Sequence, residues 1–134
     1  LLMGADDVVI TSTPDLASLR NTKNIFDFLT AARPNDKAPL IILNQVGVQK
    51  RPEIPVAEFS KAIGVEPTVV IPFDAHVFGT ASTNGQMLGE VGPKSKAAEQ
   101  VATLGRLLIG KNPEAPSNTG GSALAKLLPM LRKK

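Results

Sequence analysis

Three short aliphatic runs constrain this chain more than anything else in it. They are Val8-Val9-Ile10, Leu40-Ile41-Ile42-Leu43 and Val69-Val70-Ile71. None alternates with polar residues. A strand that is apolar on both sides must be covered on both faces, which is the condition of a parallel sheet. The stretches between the runs are long enough for crossover helices, and the order reads β-α-β-α-β-α. The expected fold class is α/β: a three-layer, Rossmann-like parallel sheet with right-handed crossovers.

The helices have their own signals. Thr13 is expected as an N-cap, with Pro14 at the first helical position and Asp15 in the positive first turn. That helix should run to about Ala32. Leu16, Leu19, Phe26 and Leu29 would form its apolar face, widened by Ile25 and Phe28. Arg20, Lys23 and Asp27 would face water, and Pro34 would end it. A second helix is expected from Pro55, with Val56, Phe59 and Ile63 on one face and Gly64 as its stop. A short helical turn follows Asp74 and stops at Asn84-Gly85, and a loop comes next. A last helix is expected from Pro93, with Ala97, Val101, Leu104 and Leu108 as its buried stripe and Gly110 as its end.

Charge is unevenly placed. Residues 1–110 carry 10 Lys/Arg and 11 Asp/Glu, whereas residues 111–134 carry 5 Lys/Arg and 1 Glu. The basic character therefore belongs to the tail, and the body lacks the charge of a nucleic-acid-binding surface. Aromatics are 4%, all of them Phe, which argues against a base-stacking RNA platform. There is no Cys, hence no disulfide and no thiolate metal site, as fits a reducing compartment. No apolar run approaches the roughly 18 residues of a membrane-spanning helix. The start at Leu1-Leu2-Met3, close before a buried strand, is what the middle of a longer protein would look like.

Residues 69–85, VVIPFDAHVFGTASTNG, place a strand end, an acidic residue and a helix start together. In an open α/β sheet, ligands bind at this carboxyl edge. The order of ADDVVITSTPDLASLRNT, ILNQVG and IPFDAHVFGTASTNG, with a final helix near Ser95, resembles the C-terminal half of the MinD/ParA group of deviant P-loop ATPases. The resemblance covers about residues 5–110. Within that group the wording is most similar to the CpaE/TadZ pilus-assembly proteins.

The resemblance implies a P-loop NTPase-like fold, present in part, and specific residue roles. Asn44 matches an asparagine whose amide hydrogen-bonds the adenine. An amide suits this because adenine offers a donor beside an acceptor. Pro72 and Phe73 match a segment whose backbone lies along the base edge. Asp74 matches an acidic position near base or ribose, and it also suits a helix N-cap. Gln45 departs from the basic residue usual after the asparagine. ATP and Mg would be cofactors of the full-length parent. None is expected on this chain, because no Gly-rich turn with Lys and Ser/Thr occurs in it to cradle phosphates and hold magnesium. Gly92-Pro93-Lys94-Ser95 does not qualify, since Pro93 removes an amide. The chain itself should not hydrolyse ATP, and no catalytic or metal-binding residue is assigned.

The expected organisation is thus 1–110 as the C-terminal half of an ATPase domain, 111–123 as a flexible Pro/Gly/Ser/Asn-rich linker, and 124–134 as a basic amphipathic tail. Leu124, Leu127, Leu128 and Leu131 fall at helical spacing beside Lys126, Arg132, Lys133 and Lys134, a pattern suited to an anionic membrane surface and interrupted by Pro129. The implied role is a nucleotide-regulated localisation and assembly factor for a type IV (Flp/Tad) pilus. Its implied location is cytoplasmic, or peripheral at the inner membrane or cell pole. Expected partners are the pilus machinery and a second copy paired through an exposed sheet edge. No sequence-specific nucleic acid is expected. Two alternatives belong to other classes: a partitioning or septum-site ATPase with non-specific DNA or membrane binding, and a stand-alone Rossmann-type small-molecule enzyme. His76 is expected to be an exposed helix residue, and Asp6-Asp7 a solvated turn.

Overall fold

The computed structural model describes residues 4–110. The linker 111–123 and the amphipathic tail 124–134 lie outside the described residues. The elements run β1 (Val9–Ser12), α1 (Leu16–Ala32), β2 (Leu40–Val46), α2 (Val56–Ile63), β3 (Val69–Pro72), α3 (Ala75–Asn84), α4 (Leu88–Val91) and α5 (Lys96–Leu108). The three strands form one sheet in the order β1-β2-β3, parallel throughout. The expected α/β class and parallel crossovers are present.

Strand alternation divides the apolar residues between two layers. Ile10, Ile41 and Leu43 point to one face and pack with Phe26 and Leu29 of α1 and Phe59 and Ile63 of α2. Ile42, Val69 and Ile71 point to the other and meet Ala97 of α5, with Val9, Phe78 and Leu104 around them. Each strand therefore needs apolar residues on both sides, which is why its sequence does not alternate.

The helix ends correct three expectations. Asp15, not Thr13, is the N-cap of α1: its carboxylate accepts from the Ser18 amide at 2.8 Å. Thr13 Oγ1 donates to the same carboxylate at 2.5 Å. A carboxylate is the stronger acceptor for an orphan N–H, so the hydroxyl serves the cap instead of being it. The last helix starts at Lys96 with Ser95 as its cap, because Ser95 Oγ can accept from the Ala98 amide at 3.1 Å and Pro93 has no comparable side chain to offer. A short helix, α4, fills what the sequence suggests is a loop after Gly85. Gly64 and Gly85 end α2 and α3 in left-handed backbone, as expected.

The buried faces are narrower than expected. On α1, Leu16, Ile25 and Phe28 are exposed, and Thr22 is buried in their stead. Thr22 Oγ1 donates to Ser12 Oγ at 2.8 Å, so two buried hydroxyls satisfy each other against β1. On α5, Ala97 is buried and Leu104 half-buried, but Val101 and Leu108 of the same stripe are exposed. The stripe is real in phase. Its outer part is left partly uncovered among the described residues, beyond the reach of a three-stranded sheet.

Candidate functional site

The carboxyl ends of the strands carry the irregular backbone. Leu43 pairs with Val70, but Val46 pairs with Pro72, so β2 holds one more residue than β3 over this interval. That is a β-bulge at Asn44-Gln45. Gln45 takes φ +56, a left-handed conformation that costs a non-glycine residue roughly 1–3 kcal/mol unless its surroundings hold it. Asn44 Oδ1 accepts from the Gln45 amide at 2.8 Å, which fixes the side-chain orientation and leaves the Nδ2 hydrogens free of that contact. Beyond the bulge, the Phe73 amide donates to the Val46 carbonyl at 2.8 Å, continuing the ladder one residue past β3.

Asn44, Gln45, Phe73 and Phe78 line one depression of about 210 Å³. Two aromatic rings and two primary amides are a chemically specific set. The rings offer faces for a flat, polarisable group, and the amides offer hydrogen bonds at its edge. The volume is below the roughly 300 Å³ of small-molecule sites, so it suits a ring system rather than a whole nucleotide. A second depression of about 240 Å³ adjoins it at Asn44, running past Thr11 and Thr13 to Asn21 and Ile25 beside the open edge of β1.

The structure brings two of the four expected binding residues, Asn44 and Phe73, into this pocket. Pro72 ends β3 and pairs with Val46. Asp74 sits just outside, and its carboxylate caps α3 by accepting from the Val77 amide at 3.0 Å. Gln45 and Phe78 are pocket residues that sequence reasoning missed. For Phe78 the signal was its position four residues after Asp74, which puts it on the first turn of a helix starting at the strand end.

The loop after the bulge is held by charge. Glu53 accepts from the amides of Gly47 at 2.9 Å and Val48 at 2.9 Å, and Arg51 Nη2 lies 2.9 Å from its Oε1. The Gly47 amide, then that of Val48 and the Arg51 guanidinium, hold the Glu53 carboxyl below the usual range against the opposing effect of burial. At the start of α1, the Thr13 hydroxyl and then the Ser18 amide do the same for Asp15. His76 is exposed on α3, and Asp6 and Asp7 are exposed before β1.

Gly92-Pro93-Lys94-Ser95 is a turn feeding α5. A Cβ on Gly92 would lie 2.9 Å from Val77 Cγ2, so glycine is required there for packing. Among the described residues, no group of three or more His, Cys, Asp or Glu could hold a metal ion, and no helix is long and apolar enough to cross a membrane.

No family model matches the chain, and no curated protein sequence does. Solved structures match it well. It is similar to the septum site-determining protein MinD of Pyrococcus horikoshii OT3, solved with Mg-ADP, at 24% identity and a TM-score of 0.65, over 80% of this chain and 42% of that one. It is similar to a ParA family ATPase of Chlorobium tepidum at 27% identity and a TM-score of 0.64, over 77% and 42%. The MinC:MinD cell division complex of Aquifex aeolicus matches at 18% identity and a TM-score of 0.66, over 83% and 45%. The fold is that of MinD/ParA P-loop NTPases. The chain spans less than half the length of each of these solved chains.

Proposed function

We propose that this chain is the base-binding half of a MinD/ParA-type ATPase domain, carried in a longer protein. Residues 1–110 form that half, 111–123 a linker and 124–134 a tail suited to an anionic membrane surface. The observation that carries the proposal is the pocket of Asn44, Gln45, Phe73 and Phe78 at the sheet's carboxyl end, the edge at which open α/β sheets generally bind ligands. The rest of the longer protein would hold the phosphates and Mg. The likeness to a MinD solved with Mg-ADP supports nucleotide as the ligand.

The biological role that we propose is a nucleotide-regulated assembly factor for a type IV (Flp/Tad) pilus, of CpaE/TadZ kind. It would be cytoplasmic, or peripheral at the inner membrane or cell pole, and would dimerise. A septum-site or partitioning role is the second reading, supported by the likeness to a septum site-determining MinD and to a ParA family ATPase. The open β1 edge and the exposed Ile25 and Phe28 of α1 support association with further chain or a second copy.

The test has two arms, both on the protein encoded by the whole gene. Asn44→Ala and Phe73→Ala should each weaken ATP binding about tenfold without unfolding the protein, since a lost hydrogen bond or stacking face is worth about 1–1.5 kcal/mol. Unchanged affinity in both would refute the base site. Deletion of the gene should abolish pili while leaving septum placement and plasmid retention intact. The reverse phenotype selects the second reading.

A further inference from the structure

The left-handed Gln45 is not held by the bulge alone. Its backbone carbonyl accepts from Arg51 Nη2, and its side-chain Oε1 accepts from Arg51 Nη1 at 3.1 Å. The same Nη2 is 2.9 Å from Glu53 Oε1. Glu53 in turn accepts from the amides of Gly47 and Val48, the residues that turn the chain away from the sheet. Arg51 Nε is buried without a hydrogen-bond partner, so the Nη groups alone locate the guanidinium. Two charged residues therefore grip the bulge at its carbonyl, its side chain and the turn behind it. Gln45 is restrained further by its own amide's bond to Asn44 Oδ1.

We infer that Arg51 and Glu53 are positioning residues for the base pocket: together they hold Gln45 in its left-handed conformation and so keep the Asn44-Gln45 wall against Phe73 and Phe78. The inference rests on the nucleotide reading above. Neither residue lines the pocket. Their contacts run to the backbone and side chain that do. Arg51 also donates to Gln45 Oε1, which orients the side-chain amide at the pocket wall. A lysine could not replace this arginine, because one ammonium lacks the fork that reaches carbonyl, amide and carboxylate at once.

The protein encoded by the whole gene, isotope-labelled at Gln45, Phe73 and Phe78, tests this with AMP as the probe. One readout is the Gln45 backbone coupling constant, which reports its φ. The other is the AMP titration of the Phe73 and Phe78 ring signals. In the wild type Gln45 should read left-handed and both rings should shift. Glu53→Gln and Arg51→Lys should move Gln45 out of the left-handed region and weaken AMP about tenfold, the strain no longer being held. Gln45→Asn, which takes left-handed backbone more readily and keeps an amide, should restore much of that affinity in the Glu53→Gln background. A merely structural role for the pair would show no such rescue. If AMP binds and the variants leave both readouts unchanged, the clamp is overturned and the pocket stands. If AMP shifts neither ring in the wild type, the base-pocket reading falls, and the clamp's role in binding falls with it.

Discussion

The two faces of the sheet are built from the same kinds of residue and end up differently. Under α1 and α2, large side chains close the layer: Phe26, Leu29, Phe59 and Ile63 against Ile10, Ile41 and Leu43. On the other face α5 approaches through alanine, Ala97 lying over Ile42, Val69 and Ile71. There the apolar stripe overhangs, with Val101 38% and Leu108 41% exposed. The closed face is where the chain keeps its stability. The open one leaves room at the strand ends for the pocket of Asn44, Gln45, Phe73 and Phe78.

The sharpest way to break this contrast is Phe59→Ala. Phe59 is fully buried, and its loss should cost about 3–5 kcal/mol in denaturant unfolding. A loss below about 1 kcal/mol would mean that the α2 layer is not the one that holds the fold. Next comes Ala97→Leu, which inserts bulk where α5 meets the sheet. It should cost about 1–3 kcal/mol, whereas Leu108→Ser on the overhang should stay within about 0.5 kcal/mol. Equal costs at the two positions would erase the difference between covered and uncovered parts of α5.

The smallest effect is acid-dependent. Asp15 and Glu53 both have folded-state pKa values lowered by hydrogen bonds. Each therefore contributes stability above its unfolded pKa, near pH 4, and loses it as pH falls through the folded value. Unfolding followed from neutral to acid pH should show stability declining below roughly pH 4. Asp15→Asn should flatten that decline on the closed side, and Glu53→Gln beside the pocket. A slope unchanged in both would disconnect these carboxylates from folding.

How much of this was legible depends on the range of the interactions involved. The strands, the caps at Gly64 and Gly85 and the parallel order follow from local runs and turn chemistry. Asn44 and Phe73 are singled out by the resemblance to the MinD/ParA group; Asn44 lies within β2 and Phe73 one residue past β3. The burial of Thr22 could not, since it depends on Ser12, a hydroxyl ten residues away in another element. The exposure of Ile25, Phe28, Val101 and Leu108 is equally invisible in their own helices: periodicity gives the direction of a stripe, and only the width of the opposing sheet decides how much is covered. Gln45 looked like a missing basic residue. Its role as a bulge held by Arg51 emerges only when six residues of loop fold back upon it.

Pro14 is fully buried, unlike most turn prolines, and lacks an amide of its own. Its carbonyl accepts from the Ile54 amide at 2.8 Å, just past Glu53. The turn that launches α1 and the loop that launches α2 are thereby riveted into a single rim. One backbone hydrogen bond thus ties the segment just past Glu53 to the root of α1. The Ile54 amide is its natural gauge: its solvent-exchange rate records whether the rim is shut or sprung.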